Sequence, residues 1–161
     1  MTLSAPSKTV PDLSYLLTHS GHVLATRMTA AFAELGITPR AYCVLFHALE
    51  SERTQAELAA ISDLDKTTMV ATMDTLEKAG LAERRPSSTD RRARIIAVTP
   101  EGERTVQKGT RIADHVHREV LESLPEKQRD ALITMLTTLA EGVLAEPVES
   151  PQPVRRARRA S

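Results

Sequence analysis

Two helix-start signals that follow each other closely constrain the fold of this chain more than any other feature. Thr54 and Glu57 have the S/T-x-x-E spacing of a capping box, which satisfies two backbone amides at the beginning of a helix. This helix is expected to end near residues 62–63, because the Asp at position 63 tolerates a left-handed conformation at modest cost. Asp65 is then a good N-cap for the next helix. The pattern predicts two helices joined by a tight turn.

The second of these helices, predicted over roughly residues 66–79, has one apolar face and one face of mostly small side chains. Met69, Met73 and Leu76 recur at i, i+4 and i+7, which indicates a buried stripe. The opposite face carries Thr67, Val70, Ala71, Asp74 and Lys78. Small side chains allow a helix to lie deep in a DNA groove, where hydroxyl and methyl groups contact bases and phosphates. On this helix alone, an ordinary solvent-exposed face explains the pattern about equally well.

A β-hairpin with a basic loop is predicted to follow. Gly80 suits the C′ position that ends a helix, and residues 81–85 and 94–98 have the composition of strands. The segment 84–94, RRPSSTDRRAR, holds five Arg and one Asp, a local charge of +4. Such a loop is usually only solvated, but here it lies beside the candidate reading helix, where positive charge would neutralise phosphates. The order of elements is that of a winged helix-turn-helix.

Residues 54–102 resemble the DNA-binding domain of the MarR family. The shared motifs are DKTTMVATMDTLEKAGLAERR, the D-x-R pattern of Asp90 and Arg92, and the V-T-P-E-G helix entry at 98–102. Ser62 and Asp63 depart from the Leu and Gly that are common in the family's turn. The resemblance implies a sequence-specific transcription regulator, a homodimeric repressor that binds a pseudo-palindromic duplex and is released by a small-molecule effector.

The residues expected to contact DNA come from the second helix and the hairpin. Base contacts are expected from Thr67, Val70, Ala71 and Asp74 in the major groove and from Arg92 on the wing. Phosphate contacts are expected from Thr54, Lys66, Thr68, Thr72, Arg84 and Arg94. The resemblance further implies that Asp90 holds Arg92 in one orientation through a charge-assisted hydrogen bond.

Apolar helices flank the winged unit on both sides. Asp12 is expected to cap a helix that runs to about residue 35, and Thr38 caps one that begins at Pro39. A helix from Pro100 to about residue 124 and a last one over roughly 126–145 follow the wing, with Ser123 as the candidate cap of the last. The first of these helices and the two after the wing are more apolar than the winged module can cover, so a partner subunit is expected to bury them.

The expected fold class is therefore mainly α, a winged helix-turn-helix with a two-stranded β-wing and N- and C-terminal dimerisation helices. Residues 1–11 are expected to be a flexible N-terminus, and residues 12–146 the regulator domain. Within that domain the winged module covers about 37–99, and the dimerisation helices cover about 12–35 and 100–146. Residues 147–161, rich in Pro and Arg, are expected to form a disordered basic tail.

The composition and the motifs of the sequence argue against several other classes of protein. The net charge is zero, so DNA binding has to arise from segregated charge rather than from a polycation. The sequence has no Gly-rich phosphate loop, paired carboxylates or nucleophile motif, so neither an enzyme nor a cofactor is expected. Without a signal segment or an apolar run that could cross a bilayer, we expect a cytoplasmic protein.

Two other functions stay open at this point. His19 and His22 are spaced i, i+3, and Cys43 and His47 i, i+4, so each pair lies on one face of a helix. A metal- or redox-responsive regulator could use these four residues, although ordinary packing at a helix junction explains them better. The other alternative is a winged-helix module that binds protein and has no role on DNA.

Overall fold

The computed structural model describes residues 12–87 and 94–148 and is mainly helical, as the sequence predicts. The elements in chain order are α1 (Leu13–Phe32, continued by a 3-10 turn at Ala33–Leu35), α2 (Pro39–Glu50), α3 (Gln55–Ile61), α4 (Lys66–Lys78), β1 (Ala82–Pro86), β2 (Arg94–Val98), α5 (Pro100–Glu122) and α6 (Glu126–Glu141). No helix within the described ranges is long and apolar enough to cross a membrane.

The chain divides into two compact units, Met1–Arg118 and Glu119–Ser161. The first contains α1 to α4, the two strands and most of α5, and the second contains the end of α5 and all of α6. The winged helix-turn-helix lies entirely in the first unit.

The core of the first unit is built on the apolar face of α4. Met69, Met73 and Leu76 are all essentially inaccessible to solvent, which confirms the predicted stripe. They belong to one buried cluster with Leu45 of α2 and Ile96 of β2. Because one face of α4 is fixed in this way, the opposite face has to point outward.

The predicted helix caps of the winged unit are present. Thr54 and Glu57 form both bonds of a capping box, and the Asp65 carboxylate accepts the backbone N–H of Thr68 at 2.9 Å. Asp63 adopts a φ of 51° in the turn between α3 and α4, and Gly80 a φ of 69° after α4. The turn therefore contains an Asp in the left-handed conformation, although Gly adopts that conformation at a lower energetic cost.

The predicted cap of α6 was wrong. The N-cap position of α6 is Pro125, which offers no side-chain hydrogen bond. The Ser123 hydroxyl instead donates to the backbone carbonyl of Val120 at 2.6 Å. A Ser just after the end of one helix bonds backward to a carbonyl of that helix more readily than forward across a Pro.

The two strands form an antiparallel hairpin that is attached to the segment before α3. Ala82 pairs with Val98 at one end of the hairpin and Pro86 with Arg94 at the other. Beyond the hairpin, the N–H of Ile96 donates to the Arg53 carbonyl at 3.1 Å, and Ile95 forms a bridge with Thr54. Strand β2 is thus hydrogen-bonded to the segment that leads into the helix-turn-helix.

Candidate nucleic-acid interface

The outward face of α4 is the most groove-compatible surface of the winged unit. Thr67, Val70 and Ala71 are exposed, and Val70 keeps 38% of its surface open to solvent. Together with Lys66 and Asp74 they line a shallow concavity of about 380 Å³. A helix face of hydroxyl, methyl and isopropyl groups at this position can approach base edges closely.

Several threonines around this face already use their hydroxyl protons within the chain. The Thr54 hydroxyl donates to Glu57 at 2.7 Å, the Thr68 hydroxyl to Asp65 at 2.7 Å, and the Thr72 hydroxyl to the carbonyl of residue 68 at 2.8 Å. The bonds from Thr68 also hold the pKa of Asp65 below its usual value. Phosphate contacts by these three hydroxyls stay a prediction, and they would require these bonds to rearrange.

Two of the residues that are predicted to contact phosphates are exposed cations. Lys66 is the first residue of α4 and Arg94 the first residue of β2, and both are open to solvent. Among the described residues neither is held in an ion pair. Asp90 and Arg92, for which the resemblance implies a minor-groove contact, lie outside the described residues and stay a prediction.

Arg84 has a different environment, because its side chain is bound by three residues of α3 and α4. Its guanidinium donates to Asp74 at 2.9 Å, to Gln55 at 3.1 Å and to Glu77. The backbone N–H of Arg84 also donates to Glu77, at 2.9 Å. We call these four residues the Arg84 cluster. Sequence reasoning expected contacts from Asp74 and Arg84 to DNA, and it missed Glu77 and Gln55.

A sequence signal for this cluster existed. Asp74 and Glu77 are spaced i, i+3, so both carboxylates lie on the same side of α4, and β1 follows that helix after a short turn. Arg85 likewise forms an ion pair with Glu83 of the same strand. Charge counted over residues 84–94 therefore overstates how much positive charge the wing offers to phosphates.

The four candidate metal or redox residues do not form a ligand set. His19 stacks on Tyr15 with ring centroids 5.3 Å apart, and His47 Nδ1 contacts Glu50 at 2.9 Å. Across residues 12–87 and 94–148, no three His, Cys, Asp or Glu side chains are grouped so that they could hold a metal ion. A metal site built from His19, His22, Cys43 and His47 therefore finds no support within these described ranges, where His19 and His47 have other partners. Cys43 is half-buried and not in a disulfide.

A larger cavity of about 760 Å³ adjoins the outward face of α4 and shares Thr67 and Ala71 with it. It is lined by the end of α1, the start of α2 and the α4 residues Thr67, Thr68, Ala71, Thr72, Thr75, Leu76 and Ala79. A second cavity of about 530 Å³, between α1, the start of α2 and His117 of α5, shares Thr29, Thr38, Pro39 and Arg40 with the first. Arg40 is exposed and gives both cavities a cation. We call the larger one the Arg40 cavity.

Comparison with known proteins agrees with this geometry. Residues 35–93 match the sequence model of the MarR family. CouR from Rhodococcus jostii RHA1, solved with p-coumaroyl-CoA, is 28% identical with a TM-score of 0.75, over 88% of this chain and 100% of that one. A structure of CouR on a 23-mer DNA duplex is also 28% identical, with a TM-score of 0.73, over 83% and 99%. The MarR family protein Rv2887 of Mycobacterium tuberculosis, in complex with p-aminosalicylic acid, is 26% identical with a TM-score of 0.67, over 80% and 98%.

Proposed function

We propose that this chain, which belongs to the MarR family, is a sequence-specific DNA-binding transcription regulator that acts as a homodimeric repressor. The observation that carries the proposal is the outward face of α4, because it presents the small side chains of Thr67, Val70 and Ala71 beside the exposed cation Lys66. That combination places base-reading groups beside phosphate-neutralising groups. The relative CouR has been solved on a DNA duplex.

The proposed dimer uses apolar surface that the single chain leaves exposed. In α1, Leu13, Leu16 and Leu17 are exposed, and in α6 the same holds for Ile133 and Leu136. Long helices with exposed apolar side chains are unfavourable in water, and a second copy of the chain would bury them. A dimer also gives two copies of α4, which suits a pseudo-palindromic operator with half-sites about 10 base pairs apart.

We further propose that a small-molecule effector binds in the Arg40 cavity and releases the operator. The cavity is lined by α4 itself, so an occupant would contact the helix that reads DNA. Arg40 would favour an acidic or otherwise anionic compound. CouR and Rv2887 have been solved with p-coumaroyl-CoA and p-aminosalicylic acid, respectively.

No enzymatic activity is proposed, and a protein that acts on the chromosome is expected in the cytoplasm.

The DNA-binding part is tested by fluorescence anisotropy on a pool of random-sequence duplexes at low salt. We expect binding that weakens as salt rises, with a linear dependence of log K on log salt, because bound phosphates release counterions. The absence of binding even at low salt would support the alternative of a protein-interaction module.

The effector part is tested with the Arg40→Gln variant. Aromatic acids that release the wild-type protein from DNA should release this variant only at higher concentration, while its affinity for DNA without effector stays close to wild type. Equal release of both proteins would show that the effector does not use Arg40.

A further inference from the structure

We infer that Arg84 is a positioning residue, which fixes the wing against the recognition helix α4 instead of contacting a phosphate. The inference rests on the proposed function and specifies how the interface is held in its binding geometry. It also assigns a role to Glu77, a residue for which neither the motif pattern nor the charge pattern predicted one.

The geometry of the Arg84 cluster leaves the guanidinium little to offer to DNA. All three of its nitrogens donate within the cluster, Nε to Gln55, Nη1 to Glu77 and Nη2 to Asp74. The Arg84 side chain is 28% exposed and that of Glu77 33% exposed, so the pair between them is partly shielded from water. These bonds use most of its N–H groups, and the two carboxylates offset its positive charge, so a phosphate would gain less from Arg84 than from an unpaired cation.

Glu77 joins the two elements more firmly than an ordinary ion pair does. One of its oxygens accepts from the Arg84 guanidinium and the other accepts the Arg84 backbone N–H at 2.9 Å. A side chain of α4 therefore fixes both the backbone and the side chain of β1 at the same residue. Gln55 extends the connection to the first turn of α3.

The functional consequence is a fixed angle between the helix that reads the major groove and the wing that reaches the neighbouring groove. A wing that is already held in place loses less conformational freedom on docking than a free one. The acidic residue Glu77 should therefore strengthen specific DNA binding, although its negative charge repels phosphates. Charge counting predicts the opposite sign.

The experiment compares Glu77→Ala with Glu83→Ala as a matched control. Both variants remove one carboxylate near the wing, but Glu83 pairs with Arg85 of its own strand and does not join the strand to α4. The affinity of each for a duplex selected by the wild-type protein and for a random duplex is measured at one fixed salt concentration. Arg84→Ala and the Glu77→Ala/Arg84→Ala double variant complete a cycle. Glu77→Gln keeps the shape of the side chain and one of its two acceptor oxygens but removes the charge.

We expect Glu77→Ala to weaken binding to the selected duplex about fivefold, an effect typical of residues in one coupled network. Binding to the random duplex should weaken much less. Glu83→Ala should bind both duplexes as well as wild type or slightly better. Glu77→Gln should recover part of the specific affinity, and Arg84→Ala should add little in the Glu77→Ala background. Thermal melting of each variant distinguishes weaker binding from impaired folding.

Two results would overturn the inference while the proposed function stands. One is specific binding by Glu77→Ala and Glu77→Gln that is as tight as that of Glu83→Ala. The other is an additive decrease of affinity in the double variant, which would mean that Arg84 contacts DNA independently of Glu77. If the wild-type protein binds no duplex at all, the proposed function fails and this inference fails with it.

Discussion

Side chains of the same charge have different surroundings in the candidate interface, and we expect these surroundings to decide the role of each. Lys66 and Arg94 are exposed at the start of α4 and of β2, whereas Arg84 is bound to Asp74 and Glu77. An exposed, unpaired cation can exchange its hydration for a phosphate at little cost, whereas the carboxylates beside a paired cation offset its charge and repel the phosphate. Phosphate binding is therefore expected from the exposed cations.

Lys66 provides the test of this distinction. Lys66→Ala should weaken binding to all duplexes by a similar factor. It should also lower the slope of log K against log salt by about 0.9 for each phosphate that is no longer neutralised, so by about 1.8 for a dimer. Binding isotherms at several salt concentrations give the slope. Lys127→Ala, which removes an equal charge from α6, is the control. A slope that is unchanged in Lys66→Ala would mean that this lysine contacts no phosphate.

At the residue scale, sequence reasoning predicted what depends on neighbours in the chain. The Thr54 capping box, the Asp65 cap and the left-handed Asp63 follow from residues within a few positions of one another. The Arg84 cluster joins residues as much as 29 positions apart, so its bonds depend on how β1 docks on α3 and α4. Local pattern gives the charge of Arg84 but not the partners that neutralise it.

At the scale of elements, the start of α5 is attached to the turn between α4 and β1. The Thr99 hydroxyl donates to the Gly80 carbonyl at 2.7 Å and accepts the Gly102 N–H at 3.1 Å, while the Thr99 N–H donates to Leu81 at 3.0 Å. Thr99 therefore caps α5 and joins it to the winged unit with the same side chain. The Thr-Pro signal predicted the helix start, but no local pattern indicated this second attachment.

Gly102 is required for this close approach. A Cβ at position 102 would overlap the Leu81 carbonyl oxygen and would lie 2.6 Å from Val98 Cγ1, both parts of the wing base. Gly102→Ala should lower the free energy of unfolding by about 1–3 kcal/mol, as overpacked sites do. Urea denaturation followed by circular dichroism measures the change.

Gly21→Ala is the matched control, since nothing lies within 4 Å of a Cβ built there. In the middle of α1 this replacement should stabilise the protein by up to about 1 kcal/mol through helix propensity. Equal effects of the two replacements would contradict the close contact at Gly102.

At the scale of the whole molecule, the apolar surfaces of α1 and α6 are the feature that a single chain leaves unexplained. Periodicity predicted both helices, and the structure ends α6 at Glu141 rather than near residue 145. Leu136 is 40% exposed and Met135 58% exposed, so the part of the chain that the structure describes leaves the stripe of α6 uncovered. The sequence pattern indicates that such a stripe is buried in the functional protein, and we propose that a partner chain buries it.

The Leu136→Glu variant tests directly whether a partner chain buries the apolar stripe of α6. If a partner chain buries position 136, the variant would place an unpaired charge in an apolar interface at a cost of several kcal/mol, and the dimer should dissociate. Sedimentation velocity at micromolar concentration measures the outcome. Thr134→Glu introduces the same charge on the opposite side of α6 and should leave the dimer intact. A Leu136→Glu protein that stays dimeric would place the interface elsewhere.

The most direct test of dimeric, sequence-specific DNA recognition is selection of bound duplexes from a random pool by the purified wild-type protein. Two copies of α4 related by a two-fold axis should select a palindromic consensus with half-site centres about 10 base pairs apart. Thymines are expected within each half-site, because Val70 and Ala71 offer contacts to their methyl groups. A pool without enrichment, or a consensus without two-fold symmetry, would contradict the assignment of this protein as a dimeric sequence-specific regulator.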